Sequence, residues 1–156
     1  MINYPSDLIK IAGISYPLIG VYDVPDKEIF QPIQKVGRCI FEHFSGWLNG
    51  ESTVIDSETV SSFSCPGASF LISDVETMPH QTVADYLVTK EGLKATPDLM
   101  CRWIENVPPY KIQNKSIVIS PFREDQYDYL KTVTFFVNPD QLSLLITGAD
   151  YVNSSP

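Results

Sequence analysis

Thr132-Val133-Thr134-Phe135-Phe136-Val137-Asn138-Pro139-Asp140-Gln141 runs an apolar, β-branched and aromatic segment straight into the opening of a helix. Residues 132–137 have the composition of a strand. Asn138 then stands where a helix cap stands. Pro139 fills the first helical position, whose N–H is unpaired in any helix, and Gln141 comes three residues after the cap, as a capping box requires. The spacing predicts a helix that turns Leu142, Leu145 and Ile146 inward. A strand followed at once by a capped helix is the grammar of an α/β chain.

The segments upstream repeat that grammar. Ser116 to Ser120 reads as another strand. Thr96-Pro97-Asp98 opens a helix that runs to Glu105, with Thr96 as cap and Pro97 in first position. A helix is predicted from His80 to Val88, and a short strand from Ser52 to Asp56. Ile33 to Leu48 has helical spacing through Ile33, Val36, Ile40, Phe44 and Trp47, with Gly50 as its stop. Ile14 to Val24 is a nearly continuous apolar run, suited to a strand buried on both faces, and Pro25-Asp26 ends it. Residues 4–12 form a short helix. The expectation is an α/β or α+β fold with a mixed β-sheet flanked by helices, in a single domain over residues 1–156.

Composition narrows the function classes. The chain has 156 residues, 44% of them hydrophobic and 12% aromatic, enough for a real core and unlike a disordered segment. Its formal net charge of −8 argues against nucleic acid as a partner, because phosphate neutralisation needs clustered Lys and Arg. No apolar run approaches the length of a membrane span, so no membrane is expected. Met1 to Lys10 lacks a charged leader followed by an apolar stretch, so no signal peptide is expected. Three cysteines, an odd number, argue against a disulfide scaffold and for reduced thiols in the cytoplasm. Neither G-x-G-x-x-G nor G-x-x-x-x-G-K-[ST] occurs, which disfavours classical nucleotide binding.

The chemistry concentrates at Ser64-Cys65-Pro66-Gly67-Ala68. This reads as a helix start with a thiol at the cap position, beside free backbone N–H groups and the positive end of the helix dipole. Such a setting lowers a thiol pKa, and Gly67 lets a ligand or another backbone approach closely. The bland alternative is a half-buried Cys65 acting as a weak cap. Cys39 and His43 are four apart and on an α-helix would point the same way. With Cys65 they make a weak candidate zinc trio, although a core thiol beside an interfacial histidine is commoner than so sparse a metal site. Cys101, mid-helix, is expected to pack. Glu124, Asp125 and Asp128 read as a solvated face, and His80 as a solvated residue at a helix start. Asn138 closes a strand, where ligands gather in open α/β sheets, but capping already explains it.

Several segments together resemble the DUF169 family of bacterial and archaeal proteins. They are Cys39 with Trp47-Leu48-Asn49-Gly50, then Ser64-Cys65-Pro66-Gly67-Ala68, then Glu91-Gly92-Leu93-Lys94-Ala95 with Pro97-Asp98-Leu99-Met100. Pro108-Pro109-Tyr110, Val137-Asn138-Pro139-Asp140-Gln141-Leu142 and Ala149-Asp150-Tyr151 complete the series. The order is consistent across residues 14–152. The resemblance implies a cytoplasmic protein and carries no established reaction. Members usually continue past the segment like 149–151, so a short member or one lacking a C-terminal part is expected here. Members also often have Leu-Gly after the Cys-Pro-Gly start, where this chain has Phe70-Leu71-Ile72-Ser73.

Three functional readings follow. The first is a small-ligand or cofactor site at the Cys65 helix start, with Gly67, Ala68, Cys39 and Asn138 as binding candidates and no particular cofactor named. The second is an enzyme using Cys65 as a redox or nucleophilic thiol. The third is a structural or interaction domain. A small-molecule partner and a homo-oligomer are both compatible with all three.

Overall fold

The computed structural model describes residues 5–31, 39–63, 68, 80–106 and 112–153. Its centre is a four-stranded sheet of β1 (Ile19–Val24), β2 (Thr53–Asp56), β3 (Ser116–Pro121) and β4 (Leu130–Thr134), in the order β2-β3-β1-β4. The helices are α1 (Pro5–Ala12), α2 (Phe44–Leu48), α3 (His80–Thr89), α4 (Pro97–Glu105) and α5 (Pro139–Asn153), with short 3₁₀ turns between. Every strand pairing is antiparallel, with Ile19 opposite Pro121, Thr53 opposite Ile119 and Ile19 opposite Thr134. The fold class is therefore the α+β one of the two expected. The sheet is antiparallel rather than mixed: even β2 and β3, whose connection carries α3 and α4, pair antiparallel.

Period-two alternation assigns each strand residue to a face. Ile19, Ile55, Ile117 and Ile119 point to one face, where Ile40, Trp47, Phe63 and Ala68 cover them. Tyr22, Val24, Val54 and Val118 point to the other, under Phe30. Both faces are thus buried, which is why β1 reads as part of a nearly continuous apolar run. The expected strand from Ile14 begins only at Ile19. Pro17 has no N–H to give a ladder, and Ile14 N–H instead donates to Ile9 C=O at 3.0 Å, closing α1.

Tyr22 lies across Gly20, its same-face neighbour. A Cβ built on Gly20 would stand 2.5–2.6 Å from Cε2, Cζ and Oη of that ring. The ring is fully buried, packs on Phe30 at 4.7 Å, and its hydroxyl accepts from Arg123 N–H at 2.7 Å. Asp23, on the opposite face, is also fully buried. Its carboxylate accepts from the N–H groups of Gln113 (2.7 Å) and Asn114 (2.9 Å), and its carbonyl accepts from Asn114 Nδ2.

The strand–helix segment that set the fold class is in place, with one displacement. β4 ends at Thr134 because its partner β1 begins there, at Ile19. Residues 135–138 then cross to α5, and Phe136 packs on Phe44 at 4.8 Å. The capping box forms in both directions: Gln141 N–H donates to Asn138 Oδ1 at 2.9 Å and Asn138 N–H to Gln141 Oε1 at 3.0 Å. Gln141 Nε2 also donates to Gly13 C=O, which turns the Gln141 and Leu145 side of α5 toward the body. Leu142 and Ile146, expected inward, are 48% and 53% exposed.

The predicted helix 33–48 is broken at Cys39, whose backbone is extended (φ −119°, ψ 143°). Ile40–His43 is a 3₁₀ turn and α2 follows from Phe44; residues 32–38 lie outside the described residues. Gly50, at φ 93°, ends the segment as expected. α3 and α4 pack against each other around Ala84, Met100 and Ile104. The Thr96 cap is formed, with Leu99 N–H donating to Oγ1 at 3.3 Å.

Candidate functional site

Cys39 to Leu48 builds one wall of the candidate site. Cys39 caps the 3₁₀ turn with its backbone alone and leaves its thiol half-buried. Ile40 and His43 are buried. Trp47 ties the segment to the sheet, its indole N–H donating to Thr53 Oγ1 at 2.8 Å. The His43 ring meets Phe63 edge-on, with centroids 6.1 Å apart. Phe63 and Ala68 belong to the same buried cluster as Ile40 and Trp47. Ala68 is helical and fully buried.

Cys65 and Gly67 lie outside the described residues, between Phe63 and Ala68. Cys39, His43 and Ala68 are brought to one side of the sheet. Cys39 and His43 do not have the i, i+4 relation of an α-helix, because Cys39 is extended and only Ile40–His43 form the 3₁₀ turn. Among the described residues no three of His, Cys, Asp and Glu gather as a metal-holding group. Asn138 is exposed, with its side chain engaged in the capping box. Cys101 Sγ reaches Gln81 Oε1 at 3.4 Å between α3 and α4. Desolvation, then Glu105, Asp98 and Asp85, raise its pKa, as suits a packing thiol.

Burial pushes the His43 imidazole below its ordinary pKa of 6.5, against the pull of Glu42 and Glu51. The unfolded chain therefore binds this proton more readily than the folded one. Stability contributed by neutral His43 is fully present above 6.5 and is lost as pH falls from there through the depressed folded value. Urea unfolding across that window should show stability falling with acidity in the native chain and a flatter slope in His43→Gln. Equal slopes would remove His43 from the account.

A second polar cluster escaped the sequence reading. Lys27 Nζ bonds Asp56 Oδ2 at 2.8 Å and Glu58 Oε2 at 3.2 Å. Asp56 is buried and also accepts at Oδ1 from the N–H groups of Glu58 and Thr59. Burial alone would raise the Asp56 pKa, but Lys27, Thr59 and Glu58 bring it below its ordinary value. Lys27, Asp56 and Glu58 border an open cleft of about 270 Å³ with Lys115 and Ser116. It shares no residue with the Cys39–His43 wall. The signal in the sequence was a carboxylate ending an apolar strand, followed by Ser57-Glu58-Thr59, the composition of an Asx turn. Arg123 joins Asp125 through both Nε and Nη2, and that guanidinium holds the Asp125 carboxyl down at about 2.

The DUF169 family model, described as an uncharacterised ArCR group, matches residues 7–156. No curated protein and no solved structure matches the chain. No helix among the described residues is long and apolar enough to cross a membrane.

Proposed function

We propose, given that this chain belongs to the DUF169 family over essentially its whole length, that it binds a small anionic ligand or cofactor at Ser64-Cys65-Pro66-Gly67-Ala68, beside Cys39 and His43. One observation carries the reading. Phe63 and Ala68, which bracket residues 64–67, are both buried in the cluster that holds Ile40, and the His43 ring lies against Phe63. Phe63 and Ala68 set the two ends of the proposed segment in that cluster, the Phe63 end beside the buried His43 ring. A Cys-Pro opening to a helix supplies unpaired N–H groups suited to an anion. The His43 ring adds a polar edge to an otherwise apolar wall.

The test is a thermal-shift screen of anionic metabolites and cofactors on the native chain, Cys65→Ser and Gly67→Val. A ligand at about a hundred times its Kd should stabilise by about 2.7 kcal/mol, a rise of about 5–10 °C for a chain of this size. Gly67→Val should abolish the rise. A screen with no stabiliser, or one whose hit binds both variants equally, defeats the reading. Alkylation of Cys65 against pH separates the thiol-enzyme alternative, which requires fast reaction with an apparent pKa well below about 8.5.

A further inference from the structure

We draw no further inference here: the strongest candidate, the open cleft where the turns after β1 and β2 meet the start of β3, bordered by Lys27, Asp56, Glu58 and Lys115, carries nothing, because its buried carboxylate, Asp56, is already satisfied by Lys27, Glu58 and Thr59 and nothing in the structure shows what fills it.

Discussion

Asp23→Ala is expected to lower stability by about 3–4 kcal/mol, with Asp23→Asn falling between it and the native chain. The carboxylate is fully buried and accepts two backbone N–H groups from a segment some ninety residues away. Charge-assisted hydrogen bonds contribute about 1.5–3 kcal/mol each, and a buried donor left unpaired costs about 1–3 kcal/mol. Alanine strands both donors, whereas asparagine keeps one oxygen. Urea denaturation gives the magnitude, and hydrogen exchange at Gln113 and Asn114 gives the cause. Loss of protection should be concentrated at those two amides. A change under 0.5 kcal/mol, typical of surface positions, would mean that the 112–114 segment finds other partners.

Gly20→Ala is expected to cost about 2–3 kcal/mol, the range of overpacked cores, and to lower Tm by about 4–12 °C. Alanine ordinarily stabilises a strand relative to glycine, since it has less freedom to lose. Here the sign reverses because the new methyl would meet the Tyr22 ring at 2.5–2.6 Å. That ring has nowhere to go, held by Phe30 on one side and by Arg123 N–H at its hydroxyl. The combination Gly20→Ala with Tyr22→Leu should therefore be less damaging than the two single effects added together, since removing the ring removes the clash. Strict additivity would contradict the steric account.

Neither position could be picked out by reading along the chain. Gly20 looked like one residue in an apolar run, and Asp23 like an interruption of it. Their roles come from a ring two residues away on the same face and from a loop that joins only on folding. What was legible had local causes. The Asn138–Gln141 box and the Thr96 cap are satisfied within four residues, so their hydrogen bonds formed as read. The buried strands were legible because covering both faces demands continuous hydrophobicity.

The misreadings also have physical reasons. Helical spacing from Ile33 to Leu48 put Ile40 and Trp47 in the core, as found, and Phe44 is partly buried, while Ile33 and Val36 lie outside the described residues. It was inaccurate for the backbone, which is extended at Cys39. Leu142 and Ile146 were assigned inward from their apolar spacing with Leu145, whereas the bond from Gln141 to Gly13 sets the rotation of α5. At the candidate site, residue identity pointed to Cys39, His43 and Ala68. Their common neighbourhood depends on Phe63, whose role no motif announces.

The strand order has a consequence for how the protein is made. β1 ends at Val24, yet both its partners begin at or after Ser116, and β2 pairs only with β3. Thus among the described residues no two strands synthesised before Ser116 pair with each other. At a translation rate of about 5–20 residues per second, β1 leaves the ribosome about 5–20 s before its first neighbour. During that interval the most apolar segments of the chain are exposed, while the α3–α4 pair is the part able to close on local contacts. The described strands therefore stay unpaired until the last quarter is translated, when β3 joins β1 to β2 and β4 then adds to the free edge of β1.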